Sequence, residues 1–265
     1  MNAKKIFILT FLSTLLVFSS FTALDNKDLK VDKIVIDAGH GGKDPGCHGS
    51  KSKEAQVSLA VALKLKDILN EYLPDVEVIL TRDKNTFVEL HDRAGIANKN
   101  DADLFISIHC NSGVSAAYGT ETFTMGLHNS TGSSGNLDQV TQRENAVILL
   151  EDDHTENYQG FDPSSPMSYI LMSNYQSAYN DKSIRMAQLV ENQFKLRVGR
   201  RSRGVKQKGL LVLWKSYMPS VLVELGFLTN KEEENFLSDE LGQVYMASAI
   251  FRAFRDYKTE IESGN

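Results

Sequence analysis

The chain has 265 residues, of which 42% are hydrophobic and 24% are charged, as in an ordinary folded globular protein. This composition excludes wholesale disorder, a collagen-like repeat and a polytopic membrane protein, and 2 cysteines are too few for a disulfide scaffold or a multi-cysteine zinc ribbon. A formal net charge of −5 would repel polyphosphate, so we expect no nucleic-acid partner.

Residues 1–23 have the pattern of a secretory signal peptide. Two lysines precede an uncharged apolar stretch, residues 6–21, which ends in small residues before the first acidic one. The stretch is shorter than the roughly 20 residues of a comfortable membrane span, and a retained anchor is the alternative. We expect export, to a periplasm or beyond the cell, with no stable membrane insertion after cleavage. In an oxidising compartment, Cys47 and Cys110 could form a disulfide or remain two buried thiols.

Short segments rich in Val, Ile and Leu predict the strands of a sheet that is covered on both faces. They are residues 33–37, 76–80, 104–108, 210–213 and 221–225, with 120–125 as a weaker candidate. Helical periodicity predicts helices at 54–72, 88–98 and 182–197, and at least one within 231–257. Strands that alternate with helices indicate an α/β fold with helices on both faces of the sheet. We expect one domain over residues 31–260.

A long polar interval, residues 126–180, interrupts this alternation. A loop of this length within a compact domain is usually functional or disordered. Within it, residues 136–151 have helical periodicity, and Glu144 lies on the same stripe as Val147 and Ile148. A charge on an apolar face is costly unless it meets a partner, and a metal ion would be such a partner. The alternatives are that Glu144 lies at a solvent-facing edge or pairs with a basic side chain.

Two histidines follow predicted strands at the positions where ligands bind in open α/β sheets. His40 comes directly after the first strand, and His109 after the third, so the two can meet if these strands are neighbours. Glu54, in the first turn of a predicted helix, returns near the same edge. Two imidazoles and one carboxylate form a three-ligand zinc site with a fourth position for water. Each residue also has a structural alternative. A histidine at the end of a strand is often structural, and a glutamate in the first turn of a helix is stabilised by the helix dipole.

Four blocks of sequence occur in order along the chain. They are Ile-Asp-Ala-Gly-His-Gly-Gly at 36–42, Lys-Glu at 53–54, Ser-Ile-His-Cys-Asn at 107–111 and Val-Glu-Leu-Gly-Phe-Leu-Thr-Asn at 223–230. Together they resemble the zinc-dependent N-acetylmuramoyl-L-alanine amidases of the amidase-3 type. The resemblance implies an α/β fold around a mixed, mostly parallel sheet and one zinc ion per chain. It also implies hydrolysis of the amide between N-acetylmuramic acid and L-alanine in peptidoglycan, in cell-wall remodelling or cell separation.

The same resemblance assigns roles to the candidate residues. It implies that His40, Glu54 and His109 are the zinc ligands and that Glu224, in a buried strand, is the catalytic carboxylate. Two other functions remain as alternatives. One is a zinc peptidase that cuts within the stem peptide, and the other is a non-catalytic peptidoglycan-binding protein on the same fold.

The interval at 126–180 also resembles a regulatory device of this family. Some members that act in cell division carry a helix that plugs the active site until an activator protein displaces it. By this resemblance, Glu144 occupies the open position of the zinc ion, and the resting enzyme is autoinhibited. We therefore expect peptidoglycan as the substrate and an activator protein as a second partner.

Overall fold

A six-stranded sheet forms the centre of the fold in the computed structural model, which describes residues 30–126, 138–172 and 178–264. The strands are β1 (Lys33–Ala38), β2 (Glu77–Leu80), β3 (Leu104–Asn111), β4 (Thr120–Met125), β5 (Ser202–Lys208) and β6 (Ser220–Phe227). Their order is β2-β1-β3-β6-β4-β5. Within these residues, every adjacent pair is parallel except β6 and β4. The mixed, mostly parallel sheet expected from the sequence is therefore confirmed.

Helices cover both faces of this sheet, as the sequence predicts. They are α1 (Glu54–Tyr72), α2 (Leu90–Lys99), α3 (Gln139–Asn145), α4 (His154–Asn157), α5 (Pro166–Met172), α6 (Asn180–Gln193), α7 (Lys231–Ser238) and α8 (Glu240–Ser263). Two 3-10 turns (Ala146–Leu150 and Leu211–Leu213) and a π turn (Phe194–Val198) complete the set. Among the described residues, none of these helices combines the length and the apolar character needed to cross a bilayer.

The alternation of side chains along β1 explains why its apolar run is continuous. Ile34 and Ile36 enter one core, beneath α1, α6 and α8, whereas Val35 enters a second core on the opposite face. All three side chains have no solvent exposure. Burial of each contributes about 1.5–3 kcal/mol to the free energy of unfolding. Covering both faces in this way leaves the carboxyl end of β1 as the place where chemistry can occur.

Two parts of the sheet differ from the sequence prediction. The prediction of a strand at residues 210–213 is wrong. These residues contain the 3-10 turn Leu211–Leu213, whose side chains are buried in the second core. A short apolar run indicates only that the segment is buried, and it is compatible with a strand or with a helical turn. The polar strand β5, by contrast, lies at the sheet edge and has no apolar pattern that would reveal it. The weaker candidate at 120–125 is confirmed as β4.

Part of the long interval is folded onto the body of the domain. The helical periodicity at 136–151 corresponds to α3 and the 3-10 turn that follows it. Residues 136 and 137 lie outside the described residues, and so does the expected signal peptide at 1–23. Val147 and Ile148 are buried in the second core. Glu151 accepts a hydrogen bond of 2.8 Å from the backbone N–H of Leu90 at the start of α2. This segment is therefore packed against the domain at several points.

Candidate metal centre and active site

The two histidines singled out in the sequence lie together at one edge of the sheet. His40 follows β1, and His109 lies near the end of β3, the parallel neighbour of β1. Their ring centroids are 4.8 Å apart, and both side chains are almost fully buried. His40 has a φ of 60°, a left-handed conformation that costs energy for a residue with a side chain. The surrounding structure thus holds the backbone of His40 in an unfavourable conformation, and this conformation fixes the position of the imidazole ring.

Glu54, the first residue of α1, reaches the same point. Its Oε1 atom lies 3.1 Å from Nε2 of His40 and 3.1 Å from Nδ1 of His109. The backbone N–H groups of Cys110 and Cys47 each donate a 2.8 Å hydrogen bond to its carboxylate, which fixes the carboxylate in place. Both cysteines are buried free thiols, so the disulfide alternative is excluded by the structure. Their contribution to this site is made by the backbone.

Glu144 of α3 completes the cluster. Its Oε2 atom lies 3.0 Å from Nδ1 of His109 and 3.4 Å from Nε2 of His40. Neither this Oε2 atom nor Nε2 of His40 has a hydrogen-bond partner, although both are buried. A tetrahedral site with metal–ligand bonds of about 2.0–2.1 Å has edges of about 3.3 Å. The four separations between a histidine nitrogen and a carboxylate oxygen, 3.0–3.4 Å, are close to that edge, and all four donor atoms lie within 4.8 Å of one another, so these residues fit a metal ion.

The electrostatics of the cluster favour positive charge at its centre. Burial alone would lower the pKa of His109, but the carboxylates of Glu144 and Glu54 raise that pKa to about 9. Burial likewise opposes protonation of His40, whereas Glu54 and Asp44 bring its pKa well above the ordinary value. The field that holds a proton on these imidazoles is the field that stabilises a divalent cation between them.

Two contacts that the sequence did not reveal position the imidazoles. Nδ1 of His40 lies 2.7 Å from Oδ2 of Asp44, an arrangement that places the ring proton on Nδ1 and leaves Nε2 free as a ligand. A Cβ atom on Gly39 would lie 2.5 Å from the His109 ring, so only glycine leaves room for this ring. The spacing of Asp44 four residues after His40 is a signal that could have indicated the first contact.

Glu224 lies beside this cluster on the neighbouring strand. It is in register with His109 and has no solvent exposure. Its Oε1 atom lies 3.4 Å from Nη2 of Arg143, and its Oε2 atom has no hydrogen-bond partner. Burial raises the pKa of Glu224 well above its usual range, and the neighbouring carboxylates add to this against the effect of Arg143. A raised pKa favours the protonated form of this carboxyl group, as a proton carrier in hydrolysis requires.

A buried network supports the loop that carries His40. Arg93 donates a 2.8 Å hydrogen bond to Asp37, and Ser107 donates another of 2.6 Å to the same carboxylate. Arg93 and Arg82 also donate to backbone carbonyl groups of residues 38–40. Both arginines are buried and bound to the protein itself, so their role is to hold this loop in place.

Comparison with known proteins agrees with the fold. The family model described as Amidase_3, N-acetylmuramoyl-L-alanine amidase, matches residues 34–256. N-acetylmuramoyl-L-alanine amidase AmiA of Escherichia coli K12 is 33% identical over 226 residues, which cover 84% of this chain and 75% of AmiA.

Solved structures of two amidases have the same fold. The N-acetylmuramoyl-L-alanine amidase of Clostridium difficile 630 has a TM-score of 0.63 and 27% identity, covering 86% of this chain and 97% of its own. Amidase AmiC2 of Nostoc punctiforme has a TM-score of 0.61 and 28% identity, covering 85% and 96%. The reaction is therefore hydrolysis of the amide between N-acetylmuramic acid and L-alanine in peptidoglycan, which the comparisons favour over the two alternatives. The chain belongs to the N-acetylmuramoyl-L-alanine amidase family.

Proposed function

We propose that this amidase uses one zinc ion held by His40, Glu54 and His109, with Glu224 as its catalytic carboxylate. The observation that supports this most strongly is the spacing of the buried donor atoms, which corresponds to the edges of a tetrahedral zinc site. Imidazole nitrogen and carboxylate oxygen are both ordinary zinc ligands. A zinc ion at this position would act as a Lewis acid that activates water and polarises the amide carbonyl.

In this proposal, Glu224 moves the proton that the hydrolysis requires. It is the neighbour in register of the ligand His109, and burial raises its pKa well above the usual range, which favours acceptance of a proton. As general base, Glu224 takes a proton from the attacking water. As general acid, it gives that proton to the departing L-alanine nitrogen, which leaves as a free amine.

The test is the substitution Glu224→Gln, with Glu232→Gln on the exposed side of α7 as the matched control. The Glu224 variant should keep its zinc, since no ligand is removed, and lose turnover by at least about 100-fold. The control should behave as the wild type. Zinc content is measured by mass spectrometry, and the products of a peptidoglycan digest are analysed for stem peptides with a free L-alanine amine. Near-normal activity of the Glu224 variant would refute its assigned role.

The resting enzyme is autoinhibited in this proposal, because Glu144 supplies the fourth donor. Catalytic zinc sites keep one position open, whereas a site with four protein ligands is closed. Arg143, the residue before Glu144, also contributes to inhibition. It lies 2.8 Å from Glu144 and 3.4 Å from Glu224, and it donates a 2.9 Å hydrogen bond to Ser112. One turn of helix thus engages both the metal ligands and the proton carrier.

Activation then requires that α3 leave the site. We propose that an activator protein displaces the segment, and that the enzyme is exported and acts on the cell wall in a periplasm or outside the cell. The support for export is the pattern of residues 1–23 together with the location of the substrate.

A further inference from the structure

A second cluster of ligand side chains lies where the interval that carries Glu144 joins the rest of the domain. Glu89 and His91 stand at the start of α2, one immediately before the helix and the other in its first turn. Glu151 directly follows the 3-10 turn Ala146–Leu150. One ligand atom from each of the three lies within 4.8 Å of the other two, and among the described residues only the active-site cluster shares this arrangement.

The two carboxylates converge on Nδ1 of His91. This atom lies 3.5 Å from Oε2 of Glu89 and 3.7 Å from Oε2 of Glu151, which exceeds the roughly 3.3 Å edge of a tetrahedral zinc site by only a few tenths of an ångström. It is buried and has no hydrogen-bond partner. The other ring nitrogen, Nε2, faces Asp92 at 3.5 Å, which favours the ring proton on that side. A buried polar atom without a partner is rare, and an ion between the three groups would satisfy Nδ1.

Glu151 brings into the protein a negative charge that no basic side chain neutralises. Its side chain has no solvent exposure, and it accepts hydrogen bonds of 2.8 Å from the backbone N–H of Leu90 and from the hydroxyl of Tyr158. Within the part of the chain that the structure describes, neither Glu151 nor Glu89 forms an ion pair with a lysine or an arginine. Buried carboxylates are normally paired with a cation or coordinate a metal ion. The two hydrogen bonds orient this carboxylate toward His91, as supporting contacts do in metal sites.

The other two side chains leave an ion a route from solvent. The side chain of Glu89 is 34% exposed and that of His91 is 37% exposed, so water can complete the coordination. One imidazole nitrogen with two carboxylate oxygens is a ligand set that suits zinc, whereas calcium and magnesium favour oxygen ligands alone. Because two of its ligands are half-exposed, this site should fill at a higher zinc concentration than the buried cluster at the active site.

We propose that Glu89, His91 and Glu151 bind a second divalent cation, zinc, which fastens the segment after α3 to the start of α2. Two ligands come from one side of this join and the third from the other, so the ion links parts of the chain that are far apart in sequence. The site shares no ligand with the active-site cluster, and its role is structural. The inference therefore does not rest on the proposed catalytic mechanism.

The test is the number of zinc ions per chain, measured by native mass spectrometry while a zinc buffer raises the free zinc concentration. The wild type should bind one ion at low free zinc and a second at higher free zinc. His91→Phe keeps an aromatic ring beside Tyr158 but removes both ring nitrogens, so it should bind the first ion only. Glu89→Gln should weaken binding of the second ion by at least about tenfold, because an amide is a poorer zinc ligand than a carboxylate. His48→Phe changes an exposed histidine outside both clusters and is the matched control, which should bind both ions.

Thermal unfolding tests the structural role. Free zinc at 100 times the Kd of the second site should raise the unfolding temperature of the wild type by about 5–10 °C and should not raise that of His91→Phe beyond the effect of the first ion. The inference is wrong if the wild type and His91→Phe bind the same number of ions, or if the second ion binds without raising the unfolding temperature. If instead the ion that binds at low free zinc is missing, while the other is still lost in His91→Phe, the active-site proposal fails and this inference stands.

Discussion

Replacing Glu144 by alanine separates inhibition from catalysis, since it removes the proposed fourth donor and leaves His40, Glu54 and His109 untouched. The carboxylate of Glu144 lies 3.0 Å from His109 and 2.8 Å from Arg143. A hydrogen bond to a charged group contributes about 1.5–3 kcal/mol, and about 1.4 kcal/mol corresponds to a factor of ten in an equilibrium. Loss of one such contact therefore shifts the ratio of closed to open enzyme by about 10- to 100-fold.

Basal activity should rise by the same factor while the open fraction is small, because only the open form turns over. The assay is release of soluble fragments from labelled peptidoglycan, with mass analysis of the products. Glu156→Ala is the matched control, since this glutamate lies in the same interval, on α4, and is exposed. Its activity should equal that of the wild type.

Zinc content and thermal unfolding are measured for both chains. The reasoning is refuted if the Glu144 variant remains folded, retains one zinc ion and shows unchanged or lower activity. Such a result would mean that Glu144 does not limit access to the site in the resting protein.

Three further substitutions test the support of the site. Gly39→Ala should lower zinc content and activity at least about tenfold, because the new Cβ would overlap the His109 ring, and zinc analysis checks this. Asp44→Ala should weaken zinc binding by about 10- to 100-fold, as measured by competition with a chelator, because His40 loses the partner that fixes its tautomer. Burial opposes ionisation of Glu234, but the hydroxyl and backbone donors of residues 50–52 lower its pKa from 4.5 to about 2. A depressed pKa stabilises the fold above pH 4.5, and this stability is lost as the pH falls toward about 2, so Glu234→Gln should flatten the acid side of the stability curve.

Each of these variants has a control or a result that would contradict it. Gly95→Ala is the control for Gly39→Ala, because a Cβ at position 95 meets nothing within 4 Å. That change lies inside α2 and should raise stability by about 0.5–1 kcal/mol. Full zinc occupancy of the Asp44 variant at low free zinc would contradict its role. A Glu234 variant with the wild-type pH dependence would show that the donors of residues 50–52 do not hold that carboxylate in solution.

Local pattern indicated most of the fold, and it failed where burial or an edge position decided the structure. The strands β1, β3 and β6 are buried on both faces, so their apolar runs are visible in the sequence. β5 is an edge strand with basic and polar residues, and nothing in its composition distinguishes it from a loop. The reverse error occurred at Leu211–Leu213, where three buried apolar residues form a turn.

Some residues of the candidate site could be predicted from the sequence, and others could not. His40, Glu54 and His109 could be found because each lies at the end of a strand or the start of a helix, where the fold class alone predicts convergence. Arg143 and Asp44 act through tertiary contacts, whose partners lie on other elements or depend on the turn after β1. No local periodicity carries that information, and the three-dimensional structure was needed to reveal it.

Deleting the whole segment 136–151 is a second way to test autoinhibition, but the structure indicates that its effect on activity would be mixed with an effect on stability. Val147 and Ile148 are buried in the second core, and each contributes about 1.5–3 kcal/mol. Glu151 also caps α2 through the N–H group of Leu90. A domain of this kind is stable by only about 5–15 kcal/mol in total, so the deletion should markedly lower the unfolding temperature, as calorimetry can measure. Any rise in activity would then be offset by unfolding, whereas Glu144→Ala removes the inhibitory contact and leaves the core intact. An unfolding temperature unchanged by the deletion would contradict the view that this segment is part of the fold.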